Sequence, residues 1–230
     1  MNKRLTCILS HVPDGKGVID VGTDHGYLPI ALAQRGYPGN LFASDINAGP
    51  LQAAIRSAKD AKLSNRIVFQ LADGLESCDP LTIDTIVIAG MGGDTICGIL
   101  DRAEWCMDSR YTLVLQPMTR AEVLRYWLVY NEFKILCEDL VEDSGTLYAV
   151  LTARFGGSTR LKEAELYTGS FEALRDHALF PALLAQQIRR TEKTLDGMAA
   201  SNTQKNTGRV EILESVLVQL REMNNNALSK

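Results

Sequence analysis

The 230-residue chain has no apolar run approaching the ~20 residues that a bilayer crossing requires. Its first residues, Met1-Asn-Lys-Arg-Leu-Thr-Cys, lack the charged-then-apolar pattern of a secretory signal. Both absences predict a cytoplasmic protein with no membrane partner. The five cysteines are an odd number, scattered, with no Cys-x-x-Cys pair, which argues against a disulfide framework or a zinc knuckle, so no metal site is expected. A surplus of positive charge is missing too. Lys and Arg number 24 against 28 Asp and Glu, a net charge of −4, whereas nucleic-acid binders ordinarily carry a basic excess. That charge is unevenly spread: residues 1–150 hold 13 basic and 19 acidic side chains, and residues 151–230 hold 11 and 9. A mildly basic tail thus follows an acidic body.

From Gly17 to about Phe155, β-branched and aliphatic runs alternate with stretches of helical period. The runs that begin at Val18, Leu41, Ile67, Thr85 and Thr112 read as strands of a parallel sheet, nearly continuous in apolar character because helices cover both faces. Helical patterns fall between them at 27–35, 48–62, 94–102 and 120–130. Two further strands, 133–141 and 146–155, are separated only by Glu142-Asp-Ser-Gly, too short for a helical crossover, which predicts an antiparallel hairpin. The expected fold is therefore α/β: a Rossmann-like class I methyltransferase sheet, mostly parallel, with an antiparallel C-terminal hairpin. Beyond the glycine-rich break at Phe155-Gly-Gly-Ser no strand pattern recurs. Leu184, Ile188, Thr191, Leu195 and Met198, and then Val210, Leu213, Leu217 and Leu220, form two apolar stripes on either side of the polar stretch 201–208. This predicts an α/β domain over 1–157 and a small all-α, coiled-coil-like domain over 158–230, an antiparallel helix pair.

The first strand ends in Asp20-Val-Gly22-Thr-Asp24-His25-Gly26, an acid-x-Gly-x-x-x-Gly turn at the place where doubly wound folds bind nucleotide-like ligands. In a dinucleotide fingerprint a glycine stands where this chain has Asp24. A carboxylate there repels a pyrophosphate. It suits S-adenosylmethionine (SAM), which has no phosphate and carries a cationic sulfonium and ammonium. Asp45, 19 positions after Gly26 at the end of the second strand, is placed to accept from ribose hydroxyls. Asp73-Gly74 follows the third strand, where an oxygen can take the adenine amino group, and Ala89-Gly90-Met91-Gly92-Gly93 follows the fourth, opening a floor for donor and acceptor. His25 either orients substrate or holds the turn. Gln116, after the fifth strand, offers an amide to a base edge, with Pro117 ending the strand. Tyr27 and Met118 can flank a flat acceptor.

These motifs, namely Arg4-Leu5 ahead of the first helix, Asp20-Val-Gly-Thr-Asp-His-Gly-Tyr-Leu-Pro29, Ile88-Ala-Gly-Met-Gly-Gly93 and Leu115-Gln-Pro-Met118, together with the helical tail, resemble the bacterial tRNA (adenine-22-N1)-methyltransferases. The resemblance implies SAM as cofactor, tRNA as substrate, and a SAM pocket lined by Asp20, Gly22, Asp24, His25, Gly26, Asp45, Asp73, Gly74, Gly90 and Met91. It assigns no general base. Asp24, Asp94 and Gln116 are candidates to stabilise the charge that develops on a methylated adenine. Methyl transfer to a protein or small molecule, and a non-catalytic SAM- or dinucleotide-binding module, remain as alternatives.

Overall fold

The computed structural model describes residues 2–200 and 207–228. Two compact units emerge, Met1–Thr159 and Arg160–Lys230.

The first unit opens with α1 (Lys3–Ser10), so Arg4 and Leu5 lie inside this helix, whose N-cap is the Asn2 side chain. β1 (Gly17–Val21), α2 (Tyr27–Gln34), β2 (Asn40–Asp45), α3 (Ala48–Asp60), β3 (Ile67–Leu71), β4 (Thr85–Gly92), α4 (Gly93–Asp101), β5 (Thr112–Thr119) and α5 (Ala121–Tyr130) then alternate. The hairpin β6 (Phe133–Asp143) and β7 (Thr146–Phe155) closes the unit. All seven strands share one sheet in the order β3-β2-β1-β4-β5-β7-β6, with β1 to β5 parallel and β7 antiparallel to both β5 and β6. The hairpin turns on Ser144 and Gly145, both at positive φ (52° and 77°), the backbone that a two-residue loop needs to follow the strand twist.

Side-chain alternation divides the core between the two faces of the sheet. Ile19, Ile86, Ile88, Leu113 and Leu115 pack with α4 and α5, whereas Val18, Val87 and Val114 pack with α1 and α2. Each such side chain, buried, contributes about 1.5–3 kcal/mol. This two-sided burial explains why the strands read as continuous apolar runs. A buried ion pair, Arg125 Nε to Glu138 Oε1 at 2.7 Å, ties α5 to β6. The sheet is irregular where β4 meets β5. The pairing slips between Ala89 and Met91, with Gly90 at φ +81°, and Pro117 lies within β5 instead of ending it. The Gly90–Gly92 segment likewise belongs to β4 and does not follow it.

The second unit contains α6 (Glu163–Thr168), α7 (Phe171–Leu174), α8 (Phe180–Ala200) and α9 (Thr207–Leu228). α8 and α9 pack together, linked at the surface by Arg221 to Glu192 at 2.8 Å. The expected pair is therefore joined by two short helices that its stripes gave no sign of. Leu184 and Thr191 of α8 are buried as expected, but the buried line of α9 runs through Leu213, Val216, Leu220 and Met223, bypassing Leu217. α6 docks on α9, where Gln219 Oε1 accepts from the Ala164 N–H at 3.2 Å. The connection at 201–206, including Lys205, lies outside the described residues. Among the described residues no helix is long and apolar enough to cross a membrane.

Candidate active site

The strand order reverses between β1 and β4, which leaves a crevice at their carboxyl ends. The turn after β1 forms one wall. Gly22, Asp24 and Gly26 all take positive φ, at 70°, 52° and 70°, which a glycine adopts without cost and an aspartate tolerates. Backbone N–H groups of Gly22 and Thr23 donate to the Ser44 carbonyl at 2.8 and 2.9 Å. Asp45 completes the tie: Oδ2 accepts from Asp24 N–H at 3.2 Å and Oδ1 from Asn47 N–H at 2.9 Å. Buried Asp45 is thus a structural clamp on the first turn as well as a candidate ribose acceptor.

Gly22, Asp45, Asp73, Gly74, Gly90 and Met91 line one cleft of about 640 Å³, so the markers from four separate strand ends do converge. A Cβ at Gly22 would meet the Met91 methyl, which shows how closely the walls approach there. Arg102, which sequence reasoning missed, donates to Asp73 Oδ1 at 2.9 Å and forms part of the same wall. Asp94 also faces this cleft, its carboxylate paired with Arg120 at 2.9 Å.

A smaller cavity of about 220 Å³ adjoins, sharing Gly22, Ala89 and Gly90 and bounded by Arg4, Asp20, Asp24 and Tyr27. Asp20 is buried and accepts from Thr23 Oγ1 at 2.7 Å. Burial pushes its pKa up to about 6, the neighbouring Asp45 adds to the rise, and the Thr23 hydrogen bond opposes it. Arg4 brings a guanidinium to the same cavity from α1. Its Nη1 donates to Gln116 Oε1 at 2.6 Å, and the guanidinium stands 5.7 Å from the Tyr148 ring centre. Only the Arg4-Leu5 motif hinted at it.

Three expectations change. Gln116 does not present its amide to an acceptor: it is fully buried, with Oε1 held by Arg4 and Nε2 donating to the Pro117 carbonyl at 2.9 Å. Gly26 lines neither cavity; it caps α2, and a Cβ there would press on Ala54. His25, expected in the pocket lining, lines neither cavity; it stacks on the exposed Tyr27, rings 5.4 Å apart, with Nε2 3.8 Å from Asp24. Gly93 serves packing more than openness. A Cβ on it would collide with the Arg120 carbonyl oxygen, so Gly93→Ala is expected to cost about 1–3 kcal/mol in thermal or denaturant unfolding. An unchanged midpoint would show that the β5–α5 corner gives way freely.

A sheet that reverses order at β1 and β4, ends in an antiparallel hairpin and carries glycine-rich and acidic strand ends around one cleft is a Rossmann-like class I methyltransferase domain. Comparison with known proteins agrees. The chain belongs to the methyltransferase domain family, whose profile matches residues 1–151. It is 28% identical over 229 residues to the tRNA (adenine(22)-N(1))-methyltransferase of Bacillus subtilis strain 168, covering 97% of this chain and 96% of that protein. The crystal structure of the B. subtilis tRNA methyltransferase TrmK superposes with a TM-score of 0.87 at 28% identity, over 97% and 98% of the two chains. TrmK of M. capricolum in complex with S-adenosyl-homocysteine, the natural cofactor product, gives 0.80 at 25% identity over 98% of each. The family resemblance drawn from the motifs is borne out.

Proposed function

We propose that the protein transfers a methyl group from SAM to N1 of adenine 22 of tRNA in the cytoplasm. The observation that carries this reading is the joined pair of cavities at the β1/β4 reversal, in a chain similar to the B. subtilis enzyme along nearly its whole length. The residues suit SAM. Asp20 and Arg4 bound the smaller cavity with opposite charges, a match for the ammonium and carboxylate of its methionine end. In the larger cleft Asp45 is placed for the ribose, and Asp73, steadied by Arg102, for the adenine.

Bound SAM supplies an electrophilic methyl carbon. Adenine N1 carries an in-plane lone pair and no proton to remove, so the protein's contribution is chiefly alignment. N1 lies on the pairing edge, and the base must leave its stack to react. Tyr27 and Met118 are both exposed, and we assign them to the faces of the extruded adenine. Asp24, and Asp94 beside its Arg120 partner, are the carboxylates we assign to stabilise the cationic product ring. The exposed Arg189 and Arg190 of α8 are assigned to tRNA phosphates.

Purified protein is expected to transfer label from SAM to an unmodified tRNA transcript and to lose that transfer when adenine 22 is replaced by guanine. No transfer to any transcript would sink the reading, and transfer to a protein or small molecule instead would redirect it. Reversing charge at Arg189 and Arg190 together should weaken tRNA binding by at least ~10-fold while SAM affinity stays the same. Equal losses would show that the second unit serves folding alone.

A further inference from the structure

α1 and its C-cap residue, His11, bring more than Arg4 to the sheet. Cys7 and His11, four residues and so about one turn apart, come to lie beside Asp139 of β6. Cys7 Sγ is 3.6 Å from Asp139 Oδ2, and His11 Nε2 is 3.8 Å from the same oxygen. The three candidate ligand atoms all lie within 4.8 Å of one another. A tetrahedral zinc with bonds of ~2.0–2.3 Å holds its ligand atoms roughly 3.3–3.8 Å apart, so the two spacings to Asp139 already fit.

The groups behind these ligands are also in place. His11 Nδ1 lies 2.7 Å from Thr152 Oγ1, and a proton donated along that line leaves the Nε2 lone pair facing Asp139. Asp139 Oδ1 accepts from the Leu140 N–H at 2.8 Å, which fixes the carboxylate with Oδ2 toward Cys7 and His11. The imidazole is nearly buried, while Asp139 is open enough for a fourth, water ligand to enter. A thiol, an imidazole and a carboxylate form a borderline-soft donor set that suits zinc and does not suit magnesium or calcium.

We infer that Cys7, His11 and Asp139 form a zinc site, with water in the fourth position, that fastens α1 to the β6–β7 hairpin. Binding replaces the Cys7 S–H bond with a zinc–thiolate bond and releases that proton to solvent. Asp139 lies 132 residues from Cys7 in the chain and the set holds a single cysteine, so no local spacing announces the site. Zinc held here restrains the helix that carries Arg4, but the site stands independently of the methyl-transfer reading.

The full-length protein, stripped with chelator and titrated with Zn²⁺ in weak buffer, should take up one zinc and release about one proton per chain. Co²⁺ in its place should give a thiolate-to-cobalt charge-transfer band. Cys7→Ser should abolish that band, and His11→Gln and Asp139→Asn should each lower zinc affinity at least ~10-fold, the smallest loss expected even of a supporting group. Far-ultraviolet circular dichroism and SAM affinity show that each variant is folded. Three results would overturn the inference: substoichiometric zinc in the wild type, a cobalt spectrum without the thiolate band, or a band that survives Cys7→Ser. The wild-type titrations decide the matter even if a variant misfolds.

Discussion

Asp45→Ala is expected to weaken SAM binding by roughly 100-fold, measured by calorimetry. The carboxylate accepts from the Asp24 and Asn47 backbone N–H groups, and hydrogen bonds to charged groups contribute about 1.5–3 kcal/mol each. Its removal frees the positive-φ turn at Asp24 and strips the cleft of the acceptor assigned to the ribose. Asp45→Asn separates the two effects. One amide oxygen can keep one backbone bond, so this variant should retain more of the fold of the turn than of the SAM affinity. Unchanged affinity in Asp45→Ala would mean that the ribose lies elsewhere.

Asp20→Asn should move stability and binding in opposite directions. Burial raises the carboxyl from an ordinary 3.8 to about 6. Between those values the folded state holds a proton that the unfolded chain has lost, so wild-type stability falls as pH rises through about 4 to 6. The loss, fully present above the folded pKa, amounts to ~3 kcal/mol. The replacement amide has no charge to desolvate, and its oxygen can still accept from Thr23. The SAM-free variant is therefore expected to melt higher than wild type at pH 8, roughly 5 °C or more, with the difference gone near pH 4. Its SAM affinity should drop, because the carboxylate assigned to the ammonium is missing. In the wild type, SAM should bind more weakly as pH falls below about 6, since a cationic ligand favours the ionised acid. A variant that melts lower than wild type at pH 8 would show that the charge on Asp20 is satisfied in the free protein.

The chain order of the strands and the acids and glycines of the large cleft could be read from sequence for one physical reason. A parallel sheet buried on both faces must write its strands as apolar runs, and the acids and glycines at their ends stay in chain order. Gln116 shows where that reading stops. Its position in β5 places it on the same side as Val114, the face that α1 covers, but nothing local to β5 says that an arginine from residue 4 will arrive there. The second unit shows the same limit. Heptad spacing alone did not separate Leu217 from Val216, since α6 docks against α9 and shifts the side that is buried.

By itself the sequence determined the alternating elements of the first unit, the hairpin, the family and the acids and glycines that gather at the strand ends, because these follow from periodicity, turn chemistry and charge within short spans. Only the tertiary structure decided that Arg4 meets Gln116, that Arg102 holds Asp73, and that Cys7 and His11 meet Asp139. Those pairings join residues 29 to 132 positions apart. They depend on how α1 and α4 pack onto the sheet, a contact between surfaces that no single stretch of chain encodes.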